Sequence, residues 1–422
     1  MKTNPSHQII IQLILLVFTT SLIAQIESEQ ALKSGRPPLL RAPRLRPPPP
    51  RIIVKSSGIN LGDPLPGLTA QQLLDFKAGL EEFESVDTPE SGLGPIFNNV
   101  SCVACHSVPA PGGSSAITAT RFGRMTNGVF DPLASLGGSL LQQFAIDPAC
   151  QEVIPPQANV TAKRQTTPLF GFGLIEAIPD AEILRNANVP KPDGVKGKAS
   201  VVQDIASGET RTGRFGWKAQ QATLLSFSGD AYVNEMGITS RLFPTENAPN
   251  GNTHLLAQFD VIGDPEDETD PVTGKSDIDR FTDFMRYLAP PQPLALTPNG
   301  RMGQPLFAQV GCAVCHTPTM QTGPNAVRAL DRKPVPLYSD LLLHDMGSLG
   351  DGIAQGTAGI HDMKTPPLWG LHASAPYLHD GRATNVDLAI RAHDGEATQA
   401  RARYLKLAPV QQKQLLEFLN SL

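Results

Sequence analysis

The sequence has few charged residues and no excess of basic ones. Only 18% of its 422 residues are Asp, Glu, Lys or Arg, and the formal net charge is −5 at pH 7. A chain without a basic field is not expected to bind nucleic acid. Aromatic residues are also few, at 6%, whereas Gly (37) and Pro (39) are abundant, which predicts a body rich in loops.

The chain lacks long apolar runs apart from one near its start. Residues 9–23 are mostly apolar, follow the positively charged Lys2 and precede the small Ala24. Because this run is shorter than the roughly 20 residues that span a bilayer, we interpret residues 1–24 as a cleaved signal peptide rather than an anchor. Export to a bacterial periplasm is then expected, with no transmembrane segment after cleavage.

A stretch rich in Pro and Arg follows the apolar run. Residues 34–51 read SGRPPLLRAPRLRPPPPR, a composition that cannot build a hydrophobic core. We therefore predict an extended tether over residues 25–56 and a folded region that begins at about residue 57.

Cysteine is scarce, but four of the five cysteines belong to two copies of one motif. CVACH (102–106) and CAVCH (312–316) both have the form Cys-x-x-Cys-His. Two thiols at this spacing can bond both vinyl groups of one haem, and the adjacent His can bind its iron. A disulfide or a four-ligand zinc site would leave the His after each pair unexplained. We predict two covalent haem c groups, with these attachment residues and iron ligands: Cys102, Cys105, Cys312, Cys315, His106 and His316.

The two motifs belong to a longer internal repeat. PIFNNVSCVACH (95–106) and PLFAQVGCAVCH (305–316) share further Pro, Phe and Val positions. The shared aromatic residue, Phe97 or Phe307, is expected on a short helix beside the haem. The fifth cysteine, Cys150, has no internal disulfide partner left and is expected to be a buried free thiol.

Helical periodicity marks the beginning and the end of this repeat. Leu68–Val86 starts with Thr69 and Gln72 in the spacing of a capping box, and residues 281–290 and 413–422 each carry one apolar face. We predict a mainly α fold of two cytochrome c-like lobes with long irregular loops. We predict a first domain over residues 57–291 and a second over 292–422. The irregular loops of the first lobe are expected at 107–165 and 181–215.

The histidine pattern distinguishes the two haems. The next histidine after His106 is His254, and the only nearby alternative ligand is Met125, so the first iron is expected to keep an open position. Around the second haem, several histidines could supply a sixth ligand, although only one can bind: His344, His361, His372, His379 and His393.

Further segments carry a resemblance to a known family. They are FGLIEAIPD (172–180), GRFGWKA (213–219), EMGITS (235–240), LLLHDMG (341–347), TPPLWGL (365–371), APYLHDGRA (375–383) and HDGEA (393–397). Over about residues 57–422 the chain resembles the di-haem cytochrome c peroxidase superfamily. It is most similar to the branch of di-haem oxidoreductases, which are also called peroxidases or thiol oxidoreductases.

This resemblance implies roles for individual residues. His393 matches the position of the sixth ligand of the C-terminal haem, with Met346 or His379 as alternatives. Glu235 matches the acid that assists peroxide cleavage above the open iron, and Glu176 is the second choice for that role.

The resemblance also implies an electron relay and a metal ion between the haems. Trp217 and Phe215 both qualify as the aromatic relay. An interhaem calcium ion would use backbone oxygens of Ser374 and Pro376. The side-chain contribution is open because RQTTP (164–168) departs from the usual Arg-Asn-Thr-Pro-like pattern.

The activity implied by the resemblance is peroxide reduction. Electrons from a small redox donor of the cytochrome or cupredoxin type would enter at the C-terminal haem, and hydrogen peroxide would be reduced at the N-terminal haem. Two alternatives stay open: an enzyme that oxidises a thiol or a protein side chain, and a di-haem electron-transfer cytochrome in which both irons are closed.

Overall fold

A computed structural model describes residues 60–263 and 267–422 of the chain. The predicted signal peptide (1–24) and tether (25–56) lie outside the described residues. Within the described residues, no helix is long and apolar enough to cross a membrane.

Helices make up more of the described residues than strands do, as the sequence predicts. The α-helices are α1 (Ala70–Glu84), α2 (Cys102–Cys105), α3 (Phe172–Glu176), α4 (Asp180–Asn188), α5 (Leu224–Ala231), α6 (Thr253–Phe259), α7 (Asp277–Tyr287), α8 (Pro298–Val310), α9 (Val386–Ala392), α10 (Thr398–Leu405) and α11 (Pro409–Leu419). The strands are β1 (Ile96–Phe97), β2 (Thr118–Thr126), β3 (Val129–Asp131), β4 (Leu140–Leu141), β5 (Phe144–Ala145), β6 (Val160–Gln165), β7 (Ser200–Gln203), β8 (Thr210–Gly213), β9 (Met320–Gln321), β10 (Pro334–Val335), β11 (Leu343–Asp345) and β12 (Asp362–Lys364).

The helix that leads into the first motif begins as predicted. In α1 the Thr69 hydroxyl accepts from the Gln72 amide at 3.3 Å, and the Gln72 side chain accepts from the Thr69 amide at 2.9 Å. This capping box satisfies amide groups that have no partner inside the helix. The buried face of α1, with Phe76 and Phe83, packs its rings against Phe284 of α7.

Beside each motif, two helices pack closely against each other at a glycine. Helix α1 packs against α7, and α8 packs against α11. A Cβ atom on Gly79 would lie 2.2 Å from the Arg280 carbonyl oxygen, and one on Gly303 would lie 1.9 Å from that of Gln414. Since real Cβ atoms do not approach backbone so closely, each crossing needs the absence of a side chain at that position.

Two hydrophobic clusters form most of the core. The first includes buried residues from Leu65 to Leu342, and the second includes buried residues from Leu306 to Leu422. Residues 320–342 therefore pack with the first cluster although they follow the second motif. The domain boundary at residue 291 stays a prediction.

Two local expectations are wrong. Residues 107–165 are not an irregular loop, because β2 pairs with β3, β4 and β6 in an antiparallel sheet, and 181–215 contains α4 and the β7–β8 hairpin. Phe97 lies in the two-residue strand β1, paired with β5, rather than on a helix. Phe307, its counterpart in the second motif, does lie on a helix, α8.

Candidate functional site

Each motif forms a short helical turn that presents its histidine in the same way. The His106 amide donates to the Cys102 carbonyl at 3.0 Å, and the His316 amide donates to the Cys312 carbonyl at 2.9 Å. The ring atom Nδ1 of His106 lies 3.0 Å from the Gly113 carbonyl oxygen, and that of His316 lies 3.0 Å from the Tyr338 carbonyl oxygen. A carbonyl oxygen can only accept, so Nδ1 carries the proton and Nε2 keeps its lone pair.

Burial keeps both imidazoles in the form that binds metals. It lowers the pKa of His106 and of His316 to about 4, although the hydrogen bonds to carbonyl oxygens act in the opposite direction. The rings are therefore neutral at pH 7, and a neutral Nε2 is the atom that an iron requires.

A second histidine ring faces His316. His393 follows the last residue of α9, and its Nδ1 lies 2.8 Å from the Ala389 carbonyl oxygen, which again leaves Nε2 free. Burial lowers the pKa of His393 as well. The ring centres of His316 and His393 are 6.5 Å apart. Because a metal–imidazole bond is about 2 Å long and the ring centre lies roughly 1 Å behind the nitrogen, two rings that share one metal have centres about 6 Å apart. The pair therefore fits a haem iron between the two rings.

The other histidines after His316 have different environments. His361 is exposed and His372 contacts the Leu422 carbonyl oxygen at 2.6 Å. His379 is buried, with its ring centre 6.3 Å from that of Trp217. Met346 lines the same cavity as His316 and His393, so it keeps its place as an alternative ligand.

His344, in the LLLHDMG segment, belongs to a charged network that the sequence did not reveal. Its Nε2 lies 3.0 Å from Asp340 Oδ2 and its Nδ1 lies 2.6 Å from Glu396 Oε2. Burial alone would lower the pKa of His344, but hydrogen bonds to Asp340, Cys315 and Glu396 raise it to about 12. With both ring nitrogens donating to carboxylates, His344 is an imidazolium and cannot bind a metal.

The first site has carboxyl groups near it instead of a second histidine. Glu235 lies in the single π-helical turn Tyr232–Met236, and its Oε2 accepts from Asn98 Nδ2 at 2.7 Å. Burial raises the pKa of Glu235, and the Glu235 carboxylate in turn contributes to the raised pKa of Cys105. Glu235 is therefore near enough to Cys105, a predicted haem attachment residue, to influence its pKa.

Two residues that the sequence did not single out accompany Glu235. Arg121 and Asp230 interact electrostatically with Glu235 and with each other. Together with His106, these three residues are enclosed by protein atoms, yet each retains accessible surface. Part of each residue is therefore accessible to a bound group. The strand arrangement that brings Arg121 there could not be deduced from the spacing of charged residues.

Three further residues that the sequence analysis considered are Glu176, Met125 and Cys150. Glu176 accepts from the Leu224 amide at 2.7 Å and from Arg286 Nε at 3.1 Å, so both carboxylate oxygens are engaged. This arrangement favours Glu235 over Glu176 as the acid. Met125 lies in the β2–β3 hairpin opposite Phe130, and Cys150 is a buried free thiol.

A cavity of about 290 Å³ connects the second site with the region between the two motifs. Its lining includes His316 and His393 at one end and Ser114, next to the carbonyl partner of His106, at the other. Trp217 and Phe215 both line it. The Trp217 Nε1 donates to the Gln165 carbonyl oxygen at 2.9 Å, which fixes the indole in this passage.

The predicted calcium region contains an amide oxygen without a partner. Ser374 and Pro376 line the cavity, and the Gln165 side chain lies beside them, since a Cβ on Gly381 would be 2.8 Å from Gln165 Oε1 and 3.3 Å from Pro376 Cγ. Gln165 Oε1 is buried and has no hydrogen-bond partner. Amide and backbone oxygens are ligands that Ca²⁺ prefers, and Gln165 stands where RQTTP departs from the family pattern.

A purely protein-bound metal centre has less support. In the ranges 60–263 and 267–422, no group of three or more His, Cys, Asp and Glu side chains could hold a metal ion. A zinc site at either motif would need such a group. Each motif histidine has Nδ1 within 3.0 Å of a carbonyl oxygen, which leaves Nε2 with its lone pair, and this arrangement fits a haem.

Solved structures resemble the chain only distantly. Hydrazine synthase of Kuenenia stuttgartiensis is 15% identical over 89% of this chain and 100% of that chain, with a TM-score of 0.40. A MauG-like protein associated with microbial copper homeostasis is 16% identical over 91% and 95%, with a TM-score of 0.41. A variant of the diheme peroxidase BthA from Burkholderia thailandensis is 13% identical over 82% and 85%, with a TM-score of 0.38. No curated protein matches the sequence.

The sequence itself matches a defined family over more than half of its length. The match covers residues 156–422 and belongs to the family described as "Di-haem oxidoreductase, putative peroxidase". It includes the second Cys-x-x-Cys-His motif, Glu235 and His393. The chain belongs to this family and is a haem-binding oxidoreductase.

Proposed function

We propose that the protein is a periplasmic di-haem peroxidase with one closed and one open haem. Electrons from a small redox protein of the cytochrome or cupredoxin type enter at the C-terminal haem. Hydrogen peroxide is reduced at the N-terminal haem in the balanced reaction H₂O₂ + 2H⁺ + 2e⁻ → 2H₂O.

The difference between the two motif histidines carries this proposal. The His316 ring is faced by His393 at a ring-centre distance of 6.5 Å. In the part of the chain that the structure describes, the only aromatic or histidine ring in contact with His106 is Phe83, at 6.1 Å. The acids and the guanidinium beside the first site are not haem ligands of the usual kinds. A closed second iron and an open first iron follow from this difference.

The residues that would hold the haems are those of the two motifs. Cys102 and Cys105 would carry the first group through thioether bonds, and Cys312 and Cys315 the second. His106 would bind the first iron, and His316 and His393 the second. An open haem supplies a binding position and redox equivalents for peroxide reduction, whereas a closed one supplies electron transfer.

Glu235 would manage the protons of the reaction. Burial raises the pKa of Glu235 above the ordinary value of a glutamate, so its carboxylate is a stronger base than an exposed one. It can accept the proton of bound peroxide and return it to the departing oxygen, so that water leaves. Asn98 donates a hydrogen bond of 2.7 Å to Oε2 of Glu235. This bond fixes the orientation of the carboxyl group, which favours proton transfer to and from peroxide.

The remaining parts of the proposal concern the region between the haems and the surroundings of the protein. Trp217, with Phe215 as the alternative, would serve as the electron relay through the cavity. A calcium ion would bind backbone oxygens of Ser374 and Pro376 with the unpartnered Gln165 Oε1 as a further ligand. The proposal also includes export through a signal peptide at residues 1–24 and a tether over 25–56. The two haem domains are placed at 57–291 and 292–422.

Ligand binding and a single substitution test the proposal. The purified parent should bind cyanide when oxidised and carbon monoxide when reduced, at one haem of the two. Glu235→Gln should slow the reaction of the reduced protein with peroxide by about 100- to 10,000-fold, the usual contribution of a general acid–base group. Stopped-flow absorbance measures this rate.

Glu209→Gln is the matched control because Glu209 is exposed, and it should react at the parent rate. If Glu235→Gln also reacts at the parent rate, the acid lies elsewhere and Glu176 is next. A parent protein that binds no external ligand and ignores peroxide in every redox state would be an electron-transfer cytochrome. A protein with an open haem that consumes thiols instead would be a thiol-oxidising enzyme.

A further inference from the structure

Arg121 is a deeply placed guanidinium that the proposed reaction has not yet used. It belongs to β2, the central strand of its sheet, where its backbone pairs with Leu140 of β4 and Ala162 of β6. Pairing on both sides holds the strand in place, so the backbone that carries the Arg121 side chain is rigid.

The Arg121 guanidinium has few hydrogen-bond partners. Its Nε is buried without a hydrogen-bond partner, and its Nη1 has one long contact, 3.4 Å, to Ser139 Oγ. Among residues 60–263 and 267–422, no carboxylate oxygen lies within 4.0 Å of it. A half-buried charge without an ion-pair partner is unfavourable, so a ligand with an anionic oxygen would stabilise the guanidinium.

The surroundings of Arg121 identify the class of ligand. Burial and the neighbouring Arg164 lower the pKa of Arg121 to about 10, whereas Glu235, Asp230 and Asp351 act in the opposite direction. Burial also raises the pKa of Asp230 to about 6. Glu235 and Asp230 are thus near enough to influence the guanidinium, but neither forms an ion pair with it, so its N–H groups are left to donate to a small anionic ligand.

We propose that Arg121 is a further catalytic residue that binds the anionic oxygen of peroxide at the first site. This inference rests on the proposed peroxidase function. When the O–O bond breaks, Glu235 takes one proton from peroxide and the departing oxygen gains negative charge. The guanidinium N–H groups donate hydrogen bonds to that oxygen and stabilise the charge, until Glu235 returns the proton and water leaves. The remaining oxygen becomes the second water with two electrons from the redox donor and two protons from solvent.

A haem propionate is the other source of the same chemistry, a carboxylate oxygen. The position of Arg121 argues against it, because a propionate would add a third carboxyl group to the space that already contains Asp230 and Glu235. Both of those acids carry raised pKa values through burial, and another negative charge would oppose their ionisation further.

Anion affinity separates the two sources without measuring activity. The haem-loaded protein is titrated with fluoride in the oxidised state and with carbon monoxide in the reduced state. In Arg121→Gln, fluoride affinity should fall by about 10- to 100-fold, the usual weight of a hydrogen bond to a charged group. Affinity for carbon monoxide, a neutral ligand, should change by less than about twofold. Arg124→Gln, on the same strand but exposed and paired with Asp131, should match the parent for both ligands.

Arg121→Lys keeps the positive charge. It is a second test that remains available if Arg121→Gln does not fold. It should bind fluoride more weakly than the parent, because an ammonium lacks the planar fork of donors, yet more tightly than Arg121→Gln. The proposal is overturned if fluoride affinity equals the parent value in both variants. A shifted midpoint potential with unchanged fluoride affinity would assign Arg121 to a propionate. If the parent itself binds neither fluoride nor carbon monoxide, the proposed function fails instead.

Discussion

Removal of the His393 ring should open the second haem and leave the first unchanged. In His393→Ala the side chain that faces His316 disappears, and with it the hydrogen bond of 2.8 Å from Nδ1 to the Ala389 carbonyl oxygen. Loss of that bond costs about 1 kcal/mol, which is small for a domain of this size. The haem stays attached because its thioether bonds are covalent, so the variant can be compared at equal haem content.

The size of the effect follows from the difference between the two sites. With one iron between two histidines and the other open, about half of the iron in the parent is low-spin. His393→Ala should convert that half to high-spin, so that almost no low-spin iron remains. Added imidazole should restore the low-spin signal, since the substitution leaves a space shaped for that ring.

Electron paramagnetic resonance of the oxidised protein measures both populations directly. His361→Ala is the matched control, because His361 is exposed and its Nδ1 lies 2.9 Å from the Gly347 carbonyl oxygen. An unchanged low-spin signal in His393→Ala would refute the ligand assignment and direct attention to Met346 or His379. A parent that is fully low-spin would instead refute the open first site.

Two further substitutions test the haem attachment and the charge balance of the core. Replacing Cys102 and Cys105 together with Ala should leave about one acid-stable haem per chain, measured by pyridine haemochrome absorbance after acid–acetone extraction; two remaining haems would refute the attachment. Burial raises the pKa of Glu82 from 4.5 to about 7, against the effect of the Tyr232 hydrogen bond, so the folded chain binds more protons than the unfolded chain between those values. The free energy of unfolding should therefore fall as pH rises through that window, by at most about 3 kcal/mol. Glu82→Gln should remove this dependence in thermal unfolding and the exposed Glu81→Gln should retain it; equal pH profiles would contradict the argument.

Features with local causes could be predicted from the sequence. The capping box of α1 needs only Thr69 and Gln72 at a fixed spacing, and both bonds form. The closing helices over 281–290 and 413–422 follow from one-sided apolar periodicity, and α7 and α11 cover most of those ranges. The prediction of haem attachment likewise depends only on spacing within five residues. In each case the physical constraint acts between neighbours in the chain.

Features that depend on distant pairing could not be predicted. Strand β2 pairs with β6, which is about forty residues away. No alternation of apolar and polar residues in the sequence predicts that sheet. The imidazolium of His344 depends on Glu396, which is 52 residues later in the chain. The glycines at the two helix crossings, Gly79 and Gly303, are recognisable only when the backbone of the partner helix is known. Each of these requires a contact that the sequence does not encode locally.

The β-rich segment after the first motif distinguishes the surroundings of His106 from those of His316. Both halves hold a neutral histidine through Nδ1 and a carbonyl oxygen, so their proximal sides are equivalent. In the second half, α9 ends at His393 and brings a ring to the opposite side. In the first half, the sheet brings Arg121, and the turn after α5 brings Glu235. Since a histidine closes an iron while a guanidinium and a carboxyl group handle charge and protons, the different elements opposite His106 and His316 would account for the electron-transfer site and the reactive site that we propose.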